Sequence, residues 1–299
     1  MRGAEPAFRC SQASLDSGDD LAGSASTVRA FLLVETEGAW RSQALGARLL
    51  PESVRATLRE MERRHGVRPL LIRRAGRRAG DDAPVTVFVA HTGPVDAWLE
   101  RGRLDRFEDL LDVDVSGVRQ GHRPGLAPYS GPLFLVCTHG RHDACCAERG
   151  RPVWLAMRHA EPDRTWQVSH IGGDRYAANV VVLPGGLYYG RVTAVDAPRL
   201  TAAHGEGRLL LERLRGRTAY PFAVQAAEIY LRRATGLLGN GDVVLVSQRR
   251  DGELTSAVFE AGGRRWQVRV RSAAEEPRQL TCSAARLSRP LRHELVSLG

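Results

Sequence analysis

Short uninterrupted apolar runs alternate along the chain with segments whose apolar residues recur at helical spacing. Phe31-Leu-Leu-Val-Glu35 is a compact apolar run, the pattern of a buried strand. From Pro51 to His65 the apolar residues fall at Val54, Leu58 and Met61, one face of a helix, and Pro51 suits a first helical turn. The stretches 68–73 and 85–90 are β-rich, with a turn-prone segment from Ala75 to Asp82 between them. Residues 1–27, rich in Ser, Gly, Asp and Ala, read as a loose leading segment, and Leu104 to Leu111 as a short helix. The resulting β-α-β-β-α order predicts an α/β (α+β) fold with helices packed on a sheet.

The Gly- and Pro-bearing stretch from Gly121 to Gly131 is the best internal boundary. Beyond it Leu133-Phe-Leu-Val136 is a fully apolar strand candidate running straight into Cys137, and Glu148 to Ala160 has helical spacing. Trp166-Gln-Val-Ser169 and Asn179-Val-Val-Val-Leu183 are the next two strands, bracketing a glycine-bearing loop. Pro221 to Thr235 reads as an amphipathic helix, followed by β-rich segments near 243–246, 254–260 and 266–270. The chain thus divides into an α/β half at 1–125, a second α/β unit at 126–218 and a helix with a β-rich tail at 219–299. The two halves share a coarse element order, although no tandem repeat of short period is visible.

Composition narrows the classes without naming one. Hydrophobic residues make up 43% and charged residues 26% of the 299 positions, and no apolar run reaches the ~18 residues a membrane helix needs. The first thirty residues have no basic patch followed by an apolar core, so a cytoplasmic protein with no membrane association is expected. The formal charge of +9 raises the question of nucleic acid. All 43 basic residues are Arg, however, and they are scattered among acids, so no nucleic-acid partner is expected.

Five cysteines exclude a disulfide-dense scaffold, and three of them fall within ten residues, which argues for metal or redox chemistry. Cys10 and Cys282, far from that cluster, read as small buried hydrophobes. The informative stretch is Cys137-Thr-His-Gly-Arg-His-Asp-Ala-Cys-Cys146, followed by His170-Ile-Gly-Gly-Asp174. Cys137 leaves a strand and Cys146 enters a helix, so the loop between them can aim two thiolates at one point. His170 leaves another strand into a glycine pair that permits a sharp turn or a close approach, with Asp174 within reach. Soft thiolates with imidazole suit an iron–sulfur cluster or zinc, but the Cys-x8-Cys loop is wider than the tight knuckles of structural zinc sites. Asp143 is placed to cap the following helix, and His139 and His142 to stand behind the ligands or face solvent.

These residues resemble the sucrase/ferredoxin-like family, through Cys-x-His-Gly-x-x-Asp-x-Cys-Cys, then His-x-Gly-Gly-x-x-x-Ala-x-Asn-Val, then Pro184 and Tyr189-Gly-Arg191. Cys10-Ser-Gln-Ala-Ser14 and Leu21-Ala-Gly-Ser-Ala-Ser26 resemble the family's amino-terminal motif. The resemblance implies a thioredoxin-like ferredoxin domain at 126–218 holding a [2Fe–2S] cluster, with Cys137 and Cys146 in the cysteine positions and His170 in the first histidine position. The second histidine position falls on Asp174, which leaves Asp174, Cys145 or water as the fourth ligand. Nothing shows the paired-carboxylate motif of a glycosidase.

Three functions compete. The first is an electron-transfer or redox-sensing protein exchanging electrons with donor and acceptor proteins, a carrier rather than an enzyme. The second is a zinc-stabilised binding module. The third is a thiol oxidoreductase with Cys145 or Cys146 as nucleophile beside His170. No P-loop and no strand-borne dinucleotide fingerprint is present.

Overall fold

The computed structural model describes residues 7–46, 50–74, 84–93 and 95–299, so the expected turn at Ala75 to Asp82 lies outside the described residues. In chain order, α1 (Cys10–Asp16) precedes β1 (Ala30–Glu35), α2 (Glu52–His65), β2 (Val67–Arg73), β3 (Val85–His91), β4 (Trp98–Leu104) and the short β5 (Ala127–Pro128). The second half continues with β6 (Leu133–Cys137), α3 (Ala144–Ala160), β7 (Thr165–Val168), β8 (Val180–Leu183), β9 (Leu187–Tyr189), α4 (Asp196–Gly205) and β10 (Leu214–Arg217). The tail comprises α5 (Phe222–Thr235), β11 (Val243–Asp251), β12 (Leu254–Ala261), β13 (Arg264–Ala274) and β14 (Leu291–Leu298).

The first ten strands form one sheet in the order β10-β9-β8-β6-β7-β2-β1-β3-β4-β5. Around its midpoint this order is a palindrome of topology. In the second half β6 runs parallel to β7 through the α3 crossover, while β8 and then β9 pair antiparallel on the other side of β6. This β-α-β then β-β arrangement, closed by α4, is the thioredoxin-like topology. In the first half β1 runs parallel to β2 through α2, and β3 and β4 pair antiparallel beyond β1. The halves therefore repeat one topology and meet edge to edge where β2 and β7 pair antiparallel, with Ile72 opposite Val168 and Arg73 opposite Gln167. The hydrophobic pattern had shown only the shared element order.

Burial explains why the strand signals are uninterrupted apolar runs. All residues of β1, β3, β6 and β8 are buried, because apolar clusters cover both faces of the sheet. One cluster packs Leu32, Val34 and Val87 under α2 through Val54, Leu58 and Met61. A second packs Phe134, Val136 and Val182 under α3 and α4, and extends through α5 to Phe259, Val268 and Val270 of the four-stranded tail sheet. The third crosses the seam, joining Phe31, Leu33 and Ile72 to Leu135, Trp166 and Val168.

Three expectations need correction. The leading segment is not loose from residue 10 onward: it forms α1, with Cys10, Ser11 and Ser14 buried, and Leu21, Ala22 and Ala25 join the core. The helix expected over Leu104 to Leu111 is instead the end of β4 followed by a short 3-10 turn at Phe107–Asp112. β4 was hidden because Glu100 and Arg101 interrupt its apolar pattern; buried Glu100 accepts from Arg123 and from the Leu126 N–H, and Arg101 lies over the Phe88 ring. Finally α3 begins at Ala144, ahead of the helical spacing from Glu148, and where the expected Asp143 cap puts it: Asp143 accepts the Cys145 N–H at 2.9 Å.

Candidate metal centre

The site is assembled by the βα turn after β6 and the loop after β7. Cys137 is the last residue of β6, and its N–H donates to Asn179 O at 3.0 Å, which fixes it to the start of β8. The chain then turns through Gly140, Asp143 caps α3, and Cys146 falls in that helix's first turn. Gly150, one turn further, lets α3 lie against the sheet: a Cβ there would sit 2.1 Å from Cys137 O. His170 follows β7, and its N–H donates to His139 Nδ1 at 3.2 Å. The other His139 ring nitrogen donates to Arg41 O at 2.6 Å, so His139 serves as a strut between backbone segments.

Gly172 and Gly173 take positive φ values of 96° and 80°, and carry the chain from His170 round to Asp174. This loop is held from below by Arg215, which is buried and donates to Gly172 O at 3.0 Å and to Asn179 Oδ1 at 2.8 Å. Asn179 in turn donates to Gly173 O at 2.8 Å. Burial lowers the Arg215 guanidinium to about 10, still charged at neutral pH.

The donor atoms of Cys137, Cys146 and His170 all lie within 4.8 Å of one another, and so do those of His142, His170 and Asp174. The two groups share His170 and touch elsewhere: Cys146 Sγ is 3.1 Å from Asp174 Oδ1, which is also 3.0 Å from His170 Nδ1. His142 Nε2 approaches the other oxygen, Oδ2, at 3.5 Å, and its ring stacks on His170 with centroids 3.7 Å apart. Cys137, Cys146 and Asp174 are buried, whereas His170 keeps 26% of its side chain exposed and is the edge of the site that meets solvent.

Charge is shared across this group. Cys137 is held down to about 5, chiefly by the hydrogen bond from Cys146 and against the opposing effect of burial, with His170 and the His139 N–H adding to it. Cys146 is pushed well above the ordinary thiol value by donating to that thiolate and by burial. Burial disfavours a charged His170, but Asp174 and Cys137 outweigh it and raise the imidazole to about 9. Burial likewise disfavours a charged Asp174, yet hydrogen bonds from His142 and His170 hold it below the usual carboxylate range. The result is a thiolate, a thiol, an imidazolium and a carboxylate around one point, an arrangement that a soft cation would replace by direct ligation.

Of the residues singled out in the sequence, Cys137, Cys146, His170 and Asp174 are brought together. Cys145 is not: its Sγ points away toward Cys282, at 3.4 Å. His142, expected behind the ligands or facing solvent, is part-exposed and stands beside Asp174 and His170, and no spacing rule would have singled it out from His139. Arg215 was missed because its partners lie 36 and more positions away.

The class so defined is an α+β protein with a buried soft-donor cluster, able to hold a metal, at the βα turn of a thioredoxin-like unit. The chain belongs to the sucrase/ferredoxin-like family, whose model matches residues 21–216. No curated relative matches it. Among solved structures, a cysteine-to-serine variant of the thioredoxin-like [2Fe–2S] ferredoxin from Aquifex aeolicus aligns at 21% identity, over 28% of this chain and 96% of that one, with a TM-score of 0.25. No helix among the described residues is long and apolar enough to cross a membrane.

Proposed function

We propose that the chain is an electron-transfer or redox-sensing protein that holds a [2Fe–2S] cluster through Cys137, Cys146, His170 and Asp174. The observation that carries this reading is the convergence of two buried thiols and an imidazole within 4.8 Å, backed by a buried carboxylate. The donors fit such a group on a further count: His170 Nδ1 is buried 3.0 Å from Asp174 Oδ1, so an imidazole nitrogen and a carboxylate oxygen converge beside the two thiols. When bound, the cluster supplies one-electron transfer at a potential tuned by its ligands.

The residues themselves do the rest. Cys137 and Cys146 bring soft charge into a dry interior, and the partly exposed His170 gives protons a way out to water. His139 and Arg215 hold the two loops in place from behind, the arrangement expected where ligand orientation matters. The burial of Cys145 and Cys146 argues against the thiol-enzyme reading, which needs one of them as an accessible nucleophile. The partners on this reading are donor and acceptor proteins that approach the His142–His170 edge.

Protein purified without oxygen should be red-brown and contain about two irons and two acid-labile sulfides per chain. Cys137→Ser and Cys146→Ser should each abolish both. A colourless, iron-free protein whose zinc content falls in Cys137→Ser would replace this reading with the zinc-stabilised module.

A further inference from the structure

Cys145 turns away from the site above into a second cluster built from three distant parts of the chain. Cys10 comes from α1, Cys145 from the first turn of α3, and Cys282 from the long connection between β13 and β14. Their sulfurs and an Asp143 oxygen all lie within 4.8 Å of one another. Cys282 Sγ is 3.4 Å from Cys145 Sγ and 3.6 Å from Cys10 Sγ, and Cys10 Sγ is 3.6 Å from both oxygens of Asp143. Cys10 and Cys145 are buried and Cys282 half-buried. We propose that Cys10, Cys145, Cys282 and Asp143 form a second metal site, which takes a single tetrahedral zinc-class ion and ties both ends of the chain to α3.

The spacing separates this proposal from its rivals. A disulfide needs sulfurs about 2.05 Å apart. Four ligands about 2.3 Å from a tetrahedral ion stand about 3.8 Å from one another, close to the separations seen. A hydrophobic role for the three thiols does not require a carboxylate in their midst, yet Asp143 is buried there and oriented by two backbone donors, Cys145 N at 2.9 Å and Cys282 N at 2.7 Å. Those bonds use one lone pair on each oxygen and leave others for an ion. Ser11 Oγ donates to Cys145 Sγ at 3.2 Å, a bond that suits a sulfur carrying negative charge. Zinc binding would displace the three thiol protons to water, with no change in oxidation state.

The connection bearing Cys282 is shaped to reach this point. Gln279 donates to Cys282 O at 3.1 Å within the loop, and Arg278 pairs with Asp19 just beyond α1, so the loop leans on the leading segment there as well as at Cys10. The clasp would thus fasten the tail to the family-matched region, which ends at residue 216.

The test is the metal content of full-length protein purified without chelators, read for zinc and iron separately by mass spectrometry. About one zinc per chain is expected. Cys282→Ser should lose it while iron and the visible spectrum stay, and Cys137→Ser should lose iron while zinc stays. Asp143→Asn keeps a capping side chain but should weaken zinc retention against a chromophoric chelator at least about tenfold. Cobalt in place of zinc should give thiolate charge-transfer absorption that Cys282→Ser removes. A protein that takes up no zinc or cobalt, that carries a Cys145–Cys282 disulfide, or that keeps its zinc in both Cys282→Ser and Asp143→Asn would overturn the proposal. Because zinc and iron are read apart, loss of the cluster reading would leave this one standing, and the reverse.

Discussion

Replacing Asp174 by histidine tests both the ligand set and its electrostatics. The carboxylate is charged, since His142 and His170 hold it below the usual range despite burial, and its Oδ1 lies 3.1 Å from Cys146 Sγ. Exchanging it for imidazole removes one negative charge beside the site. Two unit charges about 4 Å apart interact by about 4 kcal/mol at an effective dielectric of about 20. For a one-electron couple, where a tenfold change in equilibrium is about 59 mV, that is roughly 180 mV. The imidazole of His142, 3.5 Å from Oδ2, already offsets part of the charge, so the midpoint potential of Asp174→His should rise by roughly 100 mV. A second ionisable imidazole should also steepen its dependence on pH. Potentiometric titration followed at the visible bands, from pH 6 to 9, measures both. Cys145→Ala should leave potential and spectrum alone. If the colour were lost in Cys145→Ala while the potential stayed put in Asp174→His, the fourth ligand would be Cys145 and the reasoning would fail.

Glu228 is buried between Arg217 and Arg232, at 3.2 Å and 3.0 Å, and Glu228→Ala would leave two buried guanidinium groups without their counter-charge. It should cost about 3–5 kcal/mol, read as a lower urea midpoint. Gly150→Ala places a methyl 2.1 Å from Cys137 O, so α3 must move off the sheet, with a cost of about 1–3 kcal/mol and impaired iron retention on reconstitution. His204, hydrogen-bonded to Tyr189 at 2.8 Å, is lowered by burial to about 4. Its contribution is therefore complete above the unfolded value near 6.5 and is lost as pH falls from there toward 4, by up to about 3 kcal/mol. His204→Gln should flatten that part of the pH–stability curve relative to wild type.

How legible each feature was in the sequence depended on the range of the interactions behind it. Strands buried on both faces, such as Ala30–Glu35 and Leu133–Cys137, announce themselves as apolar runs because nothing in their surroundings is wet. The ligand candidates were legible because a βα turn forces Cys137 and Cys146 together and a glycine pair does the same for His170 and Asp174. β4 was not, since its charged residues find partners only in the folded sheet. Neither was the Cys10, Cys145 and Cys282 group, whose members sit more than 130 positions apart; read singly, Cys10 and Cys282 are two small hydrophobes. His142 and Arg215 belong with these, as each takes its role from loops that meet only in three dimensions.

The seam between the halves aligns residues in a row across four strands. Glu35 pairs with Ile72, Ile72 with Val168 and Val168 with Cys137, so the first half presents a buried glutamate at the place where the second presents its first cysteine. The molecule is in this sense a dimer written into one chain, with one protomer disarmed. Its cysteine-free copy, 30–128, keeps the scaffold and covers the edge of β7 that a lone second half would expose. Two equal centres in such a pair would stand three strand spacings apart, about 14 Å, near enough to pass an electron between them. With Cys137, Cys146 and His170 on the second side only, the cluster proposed above would have no internal twin to which an electron could move.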